Sequence, residues 1–461
     1  MSYESARAAA ITRVHTRHLA RLVAEYRPGR PTVVLLPGAM GSALERSRRP
    51  YVDDGAPLGG YDTVWMDSGI VFDHEFLDLA ILPGGHDVGE HVIVPDGPLQ
   101  FVVWPYWGTE AYLRGQGFNF LVFGFDWRRA LDESAAYLER FLAALRDAVR
   151  AAHGEDPLPS TTLVGHSMGG LLPKVLLDRL HRRGEDAGRW MARFVTVGTP
   201  FYGSDNHMSR YYKGVPPLNL LYGARALAPL VGTMPGPYVF LCLDRATYRR
   251  DGAALGLQRY PVRDAADDRR EADPSDPALA DRYPDWVDRG SIDAALRDRD
   301  VLTRPLPAPD LARMFHLRSV ADPTTLVELC WAPVRGRQFD PEGDPDPITG
   351  QPGPGDGTVP AWSGRLAQTP RTQVYDLQVA RDHPRLCEHV ETLEVLRVLI
   401  ETGHLPARVE VADITFGSPR ASRPELEQFL AEAAAGRLRA AEPRALDPAV
   451  WGALADAITG G

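Results

Sequence analysis

The chain has 461 residues, 44% of them apolar, which is enough for one large core with insertions or for two modest domains. A net charge of −10, with the positive charge almost all arginine and scattered, excludes the concentrated basic face that nucleic-acid binding requires. Cys242, Cys330 and Cys387 lie far apart and show none of the paired spacings of zinc or redox sites. They read as unpaired thiols in a reducing, cytoplasmic setting, with no metal.

Residues 1–27 place apolar side chains at helical spacing but interrupt them with arginine and histidine, so an amphipathic helix is expected there and not a signal peptide. No apolar run approaches the roughly 20 residues needed to span a bilayer. From residue 28 to 403, short β-branched runs alternate with amphipathic stretches, the pattern of an α/β fold with a mostly parallel sheet and helices on both faces. The expected strands are Thr32–Leu36, Leu99–Val103, Asn119–Phe125, Thr161–Val164, Arg193–Val197, Met314–Val320 and Gln373–Val379. Helices are expected at Asp132–Ala152, with Asp132 as its cap and Glu133 in its first turn, at Leu171–Leu180 and at Leu386–Ile400. Residues 45–98 and 201–309 break the alternation; their Pro, Gly, Asp and aromatic content reads as insertions forming a cap or lid over a functional face. Residues 404–461 form a C-terminal appendage with one expected helix at Arg423–Ala435.

The pattern Gly165-His166-Ser167-Met168-Gly169 arises by chance in many chains, so its flanks decide its meaning. A strand leads in at Thr161–Val164. A helix leads out from Leu171, with Pro173 in a first turn where its missing N–H costs little. That context is a nucleophile elbow, whose glycines are small because the strand-to-helix turn is sharp and whose serine sits strained at the tip. Ser167 is the expected nucleophile, at a helix N-terminus that favours developing negative charge.

A serine nucleophile needs a base and an orienting acid, which in this kind of fold follow it in the order Ser, Asp, His. Asp356, in PGPGDGTVPAWS, is the expected acid, though turn aspartates also bond their own backbone. His383 and His389 compete as base: His383 hangs in the loop after the last strand, whereas His389 is expected inside the following helix. The oxyanion donors are expected to be the amide of Met168 and, from the small-residue loop after the first strand, that of Ala39. The acidic loop FDPEGDPDPITG lacks the ligand spacing of a calcium loop and reads as solvated and proline-stiffened.

Several separated motifs together resemble one family. VVLLPGAMGSALE, FGFDWRR at Phe123–Arg129, GHSMGG, FVTVGTPFYGS and GDGTVPAWS are similar, in content and order, to the lecithin:cholesterol acyltransferase-like branch of the α/β-hydrolases. The resemblance implies an α/β-hydrolase fold over residues 28–403, with Ser167, Asp356 and His383 as triad, Ala39 and Met168 as oxyanion donors, and a lid from Phe201 onward. It also implies structural roles for Asp126 and Arg128. Trp65 is similar to the family's tryptophan in a membrane-contacting loop, which in secreted members is framed by a disulfide that this chain lacks.

The function implied is acyl transfer through an acyl-serine on an apolar or lipid-like ester, with no cofactor. Water as acceptor makes an esterase or lipase, and an alcohol makes an O-acyltransferase. A non-catalytic binding module on a hydrolase scaffold is the rival from another class. Peripheral lipid contact through the cap is a further expectation, and oligomeric state is left open.

Overall fold

The computed structural model describes residues 2–53, 57–65, 75–98, 106–204, 207–215, 218–334, 339–379, 383–409 and Gln428. The strand expected at 99–103 and nearly all of the helix expected at 423–435 lie outside them.

β1 (Thr32–Leu36), β5 (Asn119–Val122), β6 (Thr161–His166), β7 (Arg193–Val197), β10 (Met314–Ser319) and β13 (Val374–Leu377) form a six-stranded sheet in the order β13-β10-β7-β6-β1-β5. Every pair in it is parallel. In β1, Val34 and Leu36 enter one apolar cluster and Val33 and Leu35 another, so the strand is apolar on both faces. A parallel sheet covered by helices requires that composition.

Helices Leu131–His153 and Leu172–Arg182 cover the first face; Trp107–Gly115 and Val390–Thr402 cover the second. Leu131–His153 buries Leu138, Leu142, Leu145 and Val149 at helical spacing and ends on Gly154 at φ 76°. Asp132 is not its cap: Ala130 holds that position. Asp132 is in the first turn, where its carboxylate takes Arg179 at 2.8 Å in place of backbone amides.

Between β1 and β5, β2 (Ser42–Ser47), β3 (Tyr61–Trp65) and β4 (Ile93–Pro98) make a small antiparallel sheet in the order β3-β2-β4. The stretch between β7 and β10 is largely helical but contributes β8 (Val262–Asp264) and β9 (Asp267–Glu271). These join β11 (Asp322–Trp331) and β12 (Ile348–Gly355) in a four-stranded sheet, β12-β11-β8-β9. Sequence reading missed β11 and β12, because ITGQPGPG looks like turns. Pro352 and Pro354 are tolerated since β12 is an edge strand, where a missing N–H need not break a ladder.

The N-terminal helix Tyr3–Glu25 is tied down by buried charge. Arg7, fully buried, bonds Asp126 at 3.0 Å and also Glu133. Asp126 in turn takes Arg128 on both oxygens, at 2.9 and 2.8 Å. Burial would raise the Asp126 carboxyl, but Arg128 and Arg7 hold it well below the usual carboxylate range. The acidic loop is exposed over residues 342–346, as expected of a solvated loop, but it buries Phe339 and is tied to the helix Ala224–Gly232, where Arg225 pairs with Asp340 at 2.8 Å and Glu342 at 3.3 Å.

Candidate active site

β6 carries the chain to His166, Ser167 opens a short 3-10 turn to Leu171, and the helix Leu172–Arg182 follows with Pro173 in its first turn. Ser167 has φ 49°, the left-handed region that a non-glycine residue enters at a cost of about 1 kcal/mol or more. The glycines around it are required by contact. A Cβ on Gly165 would lie 2.3 Å from Gly170 Cα, and one on Gly169 would lie 2.2 Å from the Leu36 carbonyl oxygen.

The structure brings Ser167, His383 and Asp356 together. His383 Nε2 is 2.9 Å from Ser167 Oγ, and His383 Nδ1 is 2.7 Å from Asp356 Oδ2. With a carboxylate at Nδ1, that nitrogen carries the proton and Nε2 offers its lone pair to the serine hydroxyl. Asp356 Oδ1 accepts the amides of Thr358 and Val359 at 3.0 and 2.6 Å. The turn role and the histidine contact therefore coexist, one on each oxygen.

His389 is elsewhere. It is the N-cap of Val390–Thr402, accepts the Glu391 amide at 3.4 Å, and faces a groove beside the edge strand β13. The expectation that it sits inside the helix is corrected: a 3-10 turn, His383–Glu388, precedes the α-helix and displaces its start to Val390.

After β1 the chain makes a tight turn, Gly41 N–H donating to the Gly38 carbonyl at 3.0 Å, with Met40 at φ 63° in its third position. That φ is the one a type II turn demands and glycine usually supplies. Gly38 lies against the elbow: a Cβ there would be 3.1 Å from Ser167 Cβ. Ala39 is half-buried at the tip and Met168 is fully buried after the serine. Between Gly38, Ala39, Tyr106, Ser167 and His383 is a cavity of about 20 Å³, space for about one water molecule.

Two of the quoted motifs zip together beneath this site. Phe201 N–H donates to the Ser363 carbonyl at 3.0 Å and Tyr202 N–H to Ser363 Oγ at 3.0 Å. Ser363 Oγ donates to the Gly203 carbonyl at 2.6 Å, and Ser204 Oγ to the Thr358 carbonyl at 2.6 Å. Gly198 faces Asp356 and His383 directly.

Trp65 departs from the membrane-contact reading. It is fully buried, donates its indole N–H to the Met40 carbonyl at 2.7 Å, and meets the Trp127 ring edge-on at 5.5 Å. Sequence reasoning also missed Tyr106, whose hydroxyl lies at the elbow. It stands in the aromatic stretch FVVWPYWG, and no local signal marks it, because its partners are 60 and 68 residues away.

The lecithin:cholesterol acyltransferase family matches residues 112–217, a segment that takes in Asp126-Trp127-Arg128, the elbow and the Gly198–Ser204 stretch. No curated protein matches the chain. Among solved structures it is similar to a chain of the Tle4–Tli4 complex, at 14% identity and a TM-score of 0.46, over 81% of this chain and 99% of that one. It is also similar to the mature Bacillus licheniformis lipase BlEst2, at 14% identity and a TM-score of 0.32, over 81% and 93%. The segment similar to that family runs across the turn at Ser167 in the six-stranded parallel sheet.

Proposed function

We propose that this chain is a serine hydrolase that transfers an acyl group from an apolar or lipid-like ester through an acyl-serine intermediate. The observation that carries the reading is the unbroken run Asp356–His383–Ser167, at 2.7 and 2.9 Å, ending on a serine held at φ 49°. His383 Nε2 takes the hydroxyl proton as Ser167 Oγ bonds to the ester carbonyl carbon. Asp356 fixes the tautomer and stabilises the imidazolium. The amides of Ala39 and Met168 hold the oxyanion. Collapse breaks the ester C–O bond, and His383 returns the proton to the departing alcohol. A water molecule then repeats the sequence on the acyl-serine and releases the acid.

Residues 201–309 are the cap in this reading. The cavity of about 20 Å³ beside Ser167 has space for about one water molecule, the acceptor in the hydrolytic branch. An alcohol in place of water would make the same chemistry an O-acyltransferase, with the choice resting on how far the cap excludes water. Among the described residues no helix is long and apolar enough to cross a membrane. Cys242, Cys330 and Cys387 form no disulfide among the described residues, which supports a reducing, cytoplasmic setting as part of the same proposal.

The test is labelling with a fluorophosphonate, followed by turnover of p-nitrophenyl esters of increasing chain length with and without an added alcohol. Wild type should label and Ser167→Ala should not. Equal labelling of the two, or none of wild type, removes the catalytic reading.

A further inference from the structure

Beside the acid–base run lies a second chain of hydrogen bonds that the proposed chemistry does not use. His166 Nε2 is 2.8 Å from the carbonyl oxygen of His383, and His166 Nδ1 is 2.8 Å from the Tyr106 hydroxyl. The Gly38 amide donates to that same hydroxyl at 2.7 Å. All four residues are buried, and the His166 ring lies 5.1 Å from that of His383.

The proton positions follow from the partners. A carbonyl oxygen only accepts, so His166 Nε2 must carry a hydrogen. Burial, with His383 beside it, pushes His166 down to about 3, so its imidazole is neutral and Nδ1 is a lone pair. Tyr106 therefore donates to Nδ1 and accepts from Gly38. The directions run one way, from the Gly38 amide through Tyr106 and His166 to the His383 carbonyl.

We infer that Tyr106 and His166 are positioning residues that hold the oxyanion loop and the base loop in one register across the elbow. The inference rests on the proposed catalytic reading of Ser167 and His383, but names residues whose hydrogen bonds reach neither Ser167 Oγ nor the His383 ring. The relay begins on the loop that carries Ala39, passes through the residue before Ser167, and ends on the backbone of the base. It also takes up the Gly38 amide, so the next amide, Ala39, is left to face the oxyanion.

The segment after Tyr106 reinforces the far end. Thr109 Oγ1 donates to the Cys387 carbonyl at 2.8 Å, and the Gly108 amide donates to Glu388 at 2.9 Å. Residues 106–109 thus contact the oxyanion loop, the elbow and the base loop. Close approach leaves no slack, since a Cβ on Gly41 would lie 2.9 Å from the Tyr106 oxygen.

Tyr106→Phe keeps the ring and deletes both bonds of the hydroxyl; His166→Ala breaks the relay, and His166→Gln restores one donor and one acceptor. Loss of register by a fraction of an ångström should lower kcat roughly 10- to 100-fold while KM stays within about twofold, because the relay does not line the cap. Glutamine should recover part of the alanine loss. Histidine-selective ¹⁵N spectra provide a readout independent of turnover: wild-type His166 should keep one neutral Nε2–H tautomer between pH 5 and 9, and Tyr106→Phe should lose it. A kcat within twofold of wild type in both Tyr106→Phe and His166→Ala overturns the inference, as does a wild-type His166 that titrates near pH 6.5. A wild type that fails to label with fluorophosphonate removes the catalytic reading alone, and the His166 spectrum still decides the relay.

Discussion

Trp65 holds Met40 by its carbonyl, indole N–H to oxygen at 2.7 Å, and Met40 is the residue of the turn after β1 whose backbone stands at φ 63°. A strained turn against Ser167 is thus pinned from the small antiparallel sheet inserted between β1 and β5. Trp65→Phe keeps most of the packing against Trp127 and leaves the Met40 carbonyl without its donor, which should cost about 1–3 kcal/mol of stability. It should also lower kcat several-fold at constant KM. Met40→Gly relieves this φ but deletes a buried side chain of the main apolar cluster, so it should lower stability by about 2 kcal/mol net. Denaturant titration with steady-state kinetics checks both; a Trp65→Phe protein that is less stable but fully active would show that the indole only packs.

Gly198 explains why the Gly-Thr-Pro segment sits where it does. It has φ 57°, and a Cβ there would fall 3.0 Å from Asp356 Oδ2 and 3.3 Å from His383 Cε1. Gly198→Ala should therefore displace the acid–base pair, lowering kcat by about tenfold or more, with a stability loss of about 1–2 kcal/mol from the backbone alone. Normal kcat in a folded Gly198→Ala variant would mean that the pair tolerates the methyl group.

The two histidines separate cleanly in a mutational test. His383→Ala should reduce turnover about 10⁴-fold or more, as loss of a general base does in serine hydrolases generally. His389→Ala removes only the long cap bond on the last helix and should cost under about 1 kcal/mol with kcat unchanged. The reverse pattern would transfer the base role to His389.

Acid should destabilise the fold through buried imidazoles. Burial pushes His166 and His316 down to about 3 and His15 to about 4, against about 6.5 in the unfolded chain. Below pH 6.5 the unfolded chain binds these protons and the native one does not. Stability is therefore fully present above pH 6.5 and declines as pH falls toward 4, by up to about 1.4 kcal/mol per pH unit for each imidazole. Urea titrations at pH 7 and pH 5 should show the drop. His316→Gln, whose ring bonds Thr196 and Thr369, should flatten it by about one group. Equal stability at the two pH values would contradict the burial of these rings in the native state.

The strands legible in the sequence were those buried on both faces. Thr32–Leu36 and Arg193–Val197 have the ends expected of them, because a central parallel strand is a short apolar run bounded by turn residues. β5 stops at Val122, three residues early, where the chain bends into the buried Asp126–Arg128 pair. β12 was hidden because it is largely glycine and proline, and its pairing with β11, not its composition, makes it a strand.

Ser167 was legible because an elbow is a local device: its strand, glycines and helix all lie within about twenty residues, and steric contact alone dictates them. Asp356 and His383 were legible as candidates through turn chemistry and chain order. Their distances, the indole bond of Trp65 and the partners of Tyr106 were decided only by tertiary structure. Each of these depends on two segments tens or hundreds of residues apart arriving within about 3 Å. Periodicity and motif describe neighbours along the chain, and the packing of the sheet, cap and loops sets neighbours across it.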